Sequence, residues 1–515
     1  MSGEGDFAAL LEGDPQHRAI VCEGFSATRG ELREASLRAA ALLHAMGLRR
    51  GDAVCVWLPD GGAWLQLLFA CAHLGVLMVP VSTRLRRDEA RHIVASAQAR
   101  AIFVPRQFLN FDYPGTARAI QAELPGVREV RVVDVPERFI PVERELPDVP
   151  AAGQPDDPLC TFSTSGTTGR PKLAVHSQGG IARHALNVAR RTEIGPGSVM
   201  LCGLSLYGVL GFVQMAGALA GGAPCVFLQV FDAGRAAQAI RAHGVTHLFG
   251  SDGMLAPIWD ALGPAPTTLR WCGFAEFAGL GAAVVARAER DWGVRAFGLY
   301  GASECFALAA TGLPGEDPET RRLPGGSPIA PGIAFRIVDL DAGEPLADGE
   351  KGELQMCGYH VMQGYLHNPE ATRAAITADG WLRTGDLAVG RGGRFVYLSR
   401  LKDSLRLKGY LVDPSEIEAF LGTHAAVEDA QVVAVTQPGI GDVAVAFVRT
   451  HGAAVQEAEL LRFCKAGMAN YKVPQRILQV ADYPSMEGPN GTKILKNKLR
   501  EIAEAAMAQP QGEKV

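Results

Sequence analysis

The sequence has no Cys-x-x-Cys pair; its ten cysteines stand singly between Cys22 and Cys464. That spacing excludes a zinc framework and a disulfide scaffold, and it suits a reducing compartment, so a cytoplasmic protein is expected. Basic charge is not in excess. Fifty Lys and Arg face 55 Asp and Glu, a net charge of −5 with a pI near 6.2, which argues against a nucleic-acid partner. No charged-then-apolar leader precedes Asp6, so no targeting segment is expected. Internal repeats are missing too. Charge is also missing from Val199 to Phe231, a run long enough to cross a bilayer. Glycines throughout, Ser205, Gln214, Gln229 and the breaker Pro224 make a buried strand–helix–strand the better account, with strands at Val199–Leu204 and Pro224–Val230, and no transmembrane span is expected.

What is present is a chain of 515 residues, 48% of them apolar, enough for a large core and two to four compact units. Residues 27–46 carry apolar side chains at helical spacing and stop at Gly47. Ala53–Leu58 is a continuous apolar strand. A helix at Ala63–Leu74, a strand at Gly75–Val81, a helix from Arg87 and a strand at Ala101–Val104 follow. The alternation predicts a parallel, doubly wound α/β sheet. Residues 141–157, rich in Pro, Asp and Ala, read as a loop between subdomains. Gly179–Arg191 and Ala237–His243 read as helices, Val245–Phe249 as a strand. From about Ile333 the pattern changes to short strands (Ala334–Val338, Gly352–Met356, Phe395–Leu398), a small β-barrel or β-rich section. After Arg400 it becomes α+β, with helices at Pro414–Leu421, Gln456–Met468 and Ile494–Met507 and strands at Ala430–Thr436 and Val443–Arg449. The polar tail after Gln509 is expected to be disordered.

The stretch richest in chemistry is Thr161-Phe-Ser-Thr-Ser-Gly-Thr-Thr-Gly-Arg-Pro-Lys-Leu173. Strands at Pro158–Phe162 and Leu173–His176 flank hydroxyls (Ser163, Thr164, Ser165, Thr167, Thr168), two glycines (Gly166, Gly169) and two cations (Arg170, Lys172). Glycine lets backbone N–H groups approach a ligand, hydroxyls donate hydrogen bonds, and the cations match phosphate charge. Pro171 stands where a Walker A loop needs its second Gly. It also disfavours helical geometry just before it. A strand–loop–strand lid over phosphates is expected, with an ordinary polar turn as the alternative.

Four further strings carry candidate groups. Gly298-Leu-Tyr-Gly-Ala-Ser-Glu304 offers a flat ring, a hydroxyl and a carboxylate suited to a Mg²⁺–phosphate, or is a bland turn. Trp381-Leu-Arg-Thr-Gly-Asp-Leu387 presents Asp386, which can accept two hydrogen bonds from a vicinal diol or cap a turn. Ser399–Glu418 is a charged junction, a solvated hinge by default. Pro489-Asn-Gly-Thr-Lys-Ile-Leu-Lys-Asn-Lys-Leu-Arg500 places Lys493 at the start of an amphipathic helix, with Lys496 and Lys498 solvated on the helix itself.

The string Ser165-Gly-Thr-Thr-Gly-Arg-Pro-Lys172 resembles the phosphate loop of the adenylate-forming enzymes, which include acyl- and aryl-CoA ligases, peptide-synthetase adenylation domains and firefly-type luciferases. The other strings are similar to later family motifs and occur in family order across residues 161–500. Gly352-Glu-Leu and Gly364-Tyr-Leu add weaker matches. Leu173 and Ser399 replace glycines usual in the family, and Gly491-Thr-Lys replaces Ser-Gly-Lys. The resemblance implies an α/β fold: a large N-terminal domain (1–400) of doubly wound subdomains with a small β-barrel, and a small mobile α+β domain (401–515).

The resemblance also implies roles. ATP, Mg²⁺ and coenzyme A are the expected cofactors. Lys493, Glu304 and Thr164 form the expected catalytic set, Glu304 holding the metal. Ser165, Gly166, Thr167, Thr168, Gly169, Lys172, Tyr300, Gly301, Ser303, Asp386, Arg400 and Gly409 are expected at the nucleotide and CoA. Tyr300 would pack on adenine, Ser303 touch phosphate, Asp386 and Arg400 meet the ribose, and Gly409 leave room for a pantetheine arm. Lys402 is the expected hinge. Tyr207, Gly208, Met254, Gly298, Phe306 and Leu308 are expected around the acyl group, or are plain packing residues.

The implied reaction has two steps: a carboxylate attacks the α-phosphorus of Mg-ATP and releases pyrophosphate, and a thiol then displaces AMP after the part beyond Arg400 rotates. Among Leu204–Gln214 no acid awaits a substrate ammonium, which disfavours amino acids and leaves fatty or aryl acids. Gly325-Gly-Ser327 reads as a turn, not a phosphopantetheine site. The partners expected are the acid, ATP and CoA, in a monomer or homodimer. The alternatives are an acyl-AMP ligase that loads a carrier protein, a luciferase-like oxygenase, and a non-catalytic acyl- or nucleotide-binding protein.

Overall fold

The computed structural model describes residues 7–142, 146–164, 171–276, 280–403, 405–407, 410–437, 441–452, 455–488 and 491–508. The tail expected to be disordered lies outside them. The chain forms two compact units, Met1–Phe335 with Gln355–Thr384, and Arg336–Leu354 with Gly385–Val515.

The first unit is doubly wound α/β. One of its sheets orders the strands Gly364–Tyr365, Lys172–Ser177, Pro158–Thr164, Leu77–Pro80, Ala53–Val56, Ala101–Pro105 and Glu129–Val133. Ala53–Val56 pairs in parallel with both neighbours, Val54 standing opposite Met78 and Ala101. All four of its residues are buried, which is why it reads as an unbroken apolar run. A second sheet runs through Arg18–Cys22, Cys225–Phe227, Met200–Cys202, His247–Ser251, Trp271–Ala275 and Arg295–Tyr300, all parallel.

The helices follow their local signals. Arg29–Ala45 starts at a capping box between Thr28 and Glu31, and Gly47 takes a positive φ of 83° just after it. Gly62–Leu74 is buried on every face except at His73, as an all-round apolar helix must be. The charge-free stretch resolves into the strand Met200–Cys202, the helix Val209–Ala220 and the strand Cys225–Phe227. Among the described residues no helix is long and apolar enough to cross a membrane.

The second unit contains an α+β layer. In Val427–Gln437, Ala430 and Val432 face one core with Ile417, Leu421, Leu460 and Cys464. Val433 and Val435 face another with Phe447, Leu499 and Ala503. Period-two alternation thus aims one strand at helices on opposite faces: Pro414–Gly422 and Glu457–Gly467 on one, Lys496–Ala508 on the other. The strands Ile333–Val338, Lys351–Gly358, Leu382–Arg391 and Arg394–Arg400 lie side by side and supply the β-rich section expected after Ile333.

Candidate active site

The strands Pro158–Thr164 and Lys172–Ser177 form an antiparallel hairpin in which Thr164 stands opposite Lys172 and Ser163 opposite Leu173. The turn residues Ser165, Gly166, Thr167, Thr168 and Gly169 lie outside the described residues. At the hairpin's mouth the Lys172 ammonium sits 4.6 Å from the centre of the Tyr365 ring. Tyr365 arrives on a two-residue strand, paired with Ala174. Its hydroxyl donates to Glu304 Oε1 at 2.8 Å, and the Glu304 carbonyl accepts from Met362 N at 2.8 Å. A cation–π contact is worth about 0.5–1 kcal/mol where water reaches it, and a hydrogen bond to a carboxylate somewhat more. The chain Lys172–Tyr365–Glu304 therefore sets the spacing of a cation and an anion without letting them neutralise each other.

Glu304 lies in a tight loop closed where Ala309 N donates to the Tyr300 carbonyl at 2.9 Å. Gly301 is obligatory: a Cβ there would lie 2.4 Å from the Phe306 carbonyl oxygen and 2.5 Å from Ala307 Cα. Phe306 and Leu308 take positive φ values of 56° and 60°, a strained geometry for non-glycine residues. His176, on the exit strand, donates from Nε2 to the Ser303 carbonyl at 2.7 Å. Burial lowers its pKa to about 4, so the ring is neutral and the donating nitrogen is fixed. Ser303 Oγ reaches the Ser163 carbonyl at 3.5 Å. The carboxylate loop is thus tied to the hairpin from both its backbone and its side chain.

Of the expected nucleotide residues, the first unit brings Thr164, Lys172, Ser303 and Glu304 to one place, with Tyr300 buried at the strand end behind them. Glu304 is a half-buried carboxylate with one oxygen engaged by a neutral hydroxyl. Mg²⁺ is commonly held by one or two carboxylates plus phosphate oxygens, so this donor fits it. Among the described residues no cluster of three or more His, Cys, Asp or Glu could hold a metal by itself.

The expected acyl residues are spread over several surroundings. Met254 Cε fills the space a Cβ would take at Gly203, and its Sδ abuts Gly250. Gly298 lies against the Leu323 carbonyl. Gly208 caps the helix Val209–Ala220. The Tyr207 hydroxyl is raised in pKa mainly by burial, with Ser82 as a hydrogen-bond partner. Leu308 is fully buried, and Phe306 packs among Phe162, His176, His184 and Phe212.

In the second unit Asp386 and Arg400 stand opposite each other on paired strands. Arg400 Nη1 lies 3.0 Å from Asp386 Oδ1; the carboxylate is buried and the guanidinium half exposed. Gly409 and the side chains of Lys402 and Lys493 lie outside what is described. The Lys493 backbone corrects one expectation. It belongs to the strand Gly491–Ile494, opposite Met486 in a short hairpin, and the helix begins only at Lys496. Lys496 is also not simply solvated: its ammonium meets Glu418 Oε1 at 2.9 Å, with both side chains largely buried. Lys498 pairs at the surface with Glu501.

Sequence reading gave Tyr365 too little weight, although the Gly364-Tyr-Leu string flagged it, and assigned His176 no role. His176 was read only as the last residue of the strand expected to leave the loop. Asp60 went unnoticed as well. It is buried, accepts from Leu206 N at 3.1 and 3.2 Å and from Ser205 Oγ at 3.3 Å, and desolvation raises its pKa to about 7.

Residues 7–366 match the family described as AMP-binding enzyme, and 416–487 match the AMP-binding enzyme C-terminal domain. The chain is 33% identical over 474 residues to a sulfoacetate–CoA ligase of Cupriavidus necator, covering 88% of each chain. It is 32% identical over 510 residues to a 3-[(3aS,4S,7aS)-7a-methyl-1,5-dioxo-octahydro-1H-inden-4-yl]propanoyl:CoA ligase of Mycobacterium tuberculosis, covering 95% of this chain and 96% of the other. In fold it is similar to ATP-bound MatB from Rhodopseudomonas palustris, with a TM-score of 0.84 at 24% identity over 98% of this chain and 99% of that one.

Proposed function

That this chain belongs to the AMP-binding family of adenylate-forming enzymes, acyl- and aryl-CoA ligase type, is the premise from which we propose its chemistry. It is an ATP-dependent acid–CoA ligase: a carboxylic acid becomes an acyl adenylate with release of pyrophosphate, and CoA then takes the acyl group. The observation that carries the assignment of residues is the Lys172–Tyr365–Glu304 chain, which holds a cation and a carboxylate at the mouth of one hydroxyl-rich hairpin. A carboxylate is a weak nucleophile, so the protein's work is to position it and offset phosphate charge.

In this reading Lys172, Thr164 and the loop through Gly169 orient the phosphates, and Ser303 adds a hydroxyl. Glu304 would hold Mg²⁺, which when bound supplies charge neutralisation at the phosphates. Tyr300 faces the base, Asp386 and Arg400 the ribose. Lys493 grips the substrate carboxylate and α-phosphate in the first step. The region beyond Arg400, hinged at Lys402, then reorients so that Gly409 admits the thiol and Lys493 withdraws. The ten cysteines are all free thiols, which supports placement in the reducing cytoplasm. The relatives act on acids as different as sulfoacetate and a fused bicyclic propanoate, so fatty and aryl acids both stay in the panel.

The test is purified protein with Mg-ATP, CoA and a pooled panel of fatty, aryl and small branched acids, read by mass spectrometry. One dominant acyl-CoA is expected. An acyl adenylate without thioester would move the acceptor to a carrier protein, and ATP binding without either product would overturn the ligase reading. Lys493→Ala is expected to lose adenylation by about 10²–10³ while still converting a supplied acyl adenylate to thioester. Equal loss of both half-reactions would remove Lys493 from this role.

A further inference from the structure

Behind the loop that carries Glu304 lies a buried group of imidazoles and aromatic rings. Phe306 sits 4.0 Å from His176 and 5.1 Å from His184, centre to centre, and the His184 ring lies within 21° of parallel to it. His360 lies 6.5 Å beyond His184, its ring within 17° of parallel. His184 and His360 are 1% and 0% exposed. Ile181, His184, Ala185, Phe212, Val213 and Phe306 line a narrow crevice that does not admit a water-sized sphere.

The protonation of these rings follows from their partners. His184 Nε2 lies 2.8 Å from the Ala307 carbonyl, so it carries the proton. Burial lowers the pKa of His184 to about 4 and that of His360 to about 3, so both are neutral near pH 7. In neutral His184 the remaining Nδ1 is a lone-pair acceptor. That atom, and both ring nitrogens of His360, have no hydrogen-bond partner among the described residues. A buried polar atom left unpaired has lost its water without a replacement, so such a group wants an occupant. His184 Nδ1 calls for a donor. A carboxylate or sulfonate offers none, and a ketone offers only an acceptor. A hydroxyl donates to His184 and still accepts.

The space adjoins the reacting centre through the chain itself. Phe162 lies one residue before Ser163, and Phe306 two residues after Glu304. Phe306 itself lines the crevice and packs on Phe162, on a backbone in the left-handed region. We propose that His184, with His360 behind it, forms a distal subsite for an uncharged hydroxyl on the acid, phenolic or aliphatic, reached when Phe306 turns aside. This rests on the ligase reading above and narrows its substrate class to hydroxy acids.

The test measures kcat/KM for thioester formation with matched acids: 3-(4-hydroxyphenyl)-, 3-phenyl- and 3-(4-carboxyphenyl)propanoic acid, and straight-chain ω-hydroxy, unsubstituted and ω-carboxy acids of equal length. In at least one series the hydroxy acid is expected to exceed the unsubstituted acid by about tenfold or more, because a site built for a hydroxyl rejects the analogue lacking it. His184→Phe keeps a ring and removes the acceptor, and is expected to bring that ratio close to one. His184→Gln, which restores a polar group, is expected to recover part of it, with KM for ATP reporting on folding. Thioester formation with no hydroxyl preference in the wild-type protein overturns the subsite and leaves the ligase reading standing. An unchanged ratio in a folded His184→Phe does the same. Failure of every acid to give adenylate or thioester overturns both.

Discussion

The loop from Tyr300 to Ala309 has two sides, and they handle polar groups in opposite ways. On one, the Glu304 carboxylate is partly exposed, braced by a tyrosine hydroxyl and set apart from Lys172 by that tyrosine's ring. On the other, His176, His184 and His360 are buried and neutral around Phe306. Only two residues separate the sides, so what differs is solvent access. Where water reaches, a charge survives and can meet phosphate; where it does not, desolvation strips the charge and leaves lone pairs and N–H groups as the remaining tools.

The sharpest way to break this contrast is Glu304→Gln, which removes the charge and keeps the shape. Adenylation is expected to fall about 100-fold, measured by acid-dependent exchange of labelled pyrophosphate into ATP. Near-normal exchange would mean the carboxylate is only a structural brace. Tyr365→Phe keeps the ring over which Lys172 sits and deletes the hydroxyl. Its expected loss is about tenfold, smaller because Glu304 keeps its charge, and a loss as large as that of Glu304→Gln would contradict this order.

The buried side is sharpened by pH. His176 and His184 fall to about 4 and His360 to about 3 in the folded state, against about 6.5 in an unfolded chain. Between those values the unfolded chain binds more protons, so stability rises with pH through the window and is lost as pH falls from about 6.5 toward 4. Asp60 works against this. Its folded pKa of about 7, above the ordinary carboxylate value of 3.8, means stability falls as pH rises from about 4 to 7. His247 is lowered in the same direction and Glu276, Asp413 and Asp429 are raised like Asp60, so the climb in urea midpoint between pH 4.5 and 6.5 that single groups contribute is read from variants compared with the wild-type protein. Asp60→Asn should steepen that climb and His360→Gln should flatten it; the reverse order would overturn the assignment of neutral, buried rings. The smallest effect is at the far surface. Lys498→Ala breaks an exposed pair with Glu501 and is expected to change stability by less than about 0.5 kcal/mol, by the same urea measurement.

Much of the fold could be read from the sequence wherever a local pattern carried it. The apolar run at Ala53, the helical spacing over 27–46 that stops at Gly47 and the strand expected at Ala430–Thr436 each became the element they imply. Lys493 was misread because a Gly-Thr turn followed by an amphipathic pattern looks the same whether the helix begins at once or after a short strand. The hairpin partner Met486 decided it, and pairing is not a local property. Lys496 was misread for a related reason: its partner Glu418 is 78 residues away.

The sequence by itself determined the class of chemistry, because a hydroxyl- and glycine-rich loop with two cations, a Tyr-Gly-x-Ser-Glu string and a lone Asp after Thr-Gly resemble, in order, the motifs of the adenylate-forming enzymes. Only the tertiary structure decided which groups act together. Tyr365 reaches Glu304 across 61 residues, and His176 reaches Ser303 across 127. Those meetings depend on the order of strands in a sheet. The state of each group was decided there too, since a histidine's charge and the partner its lone pair requires depend on what the fold packs around it.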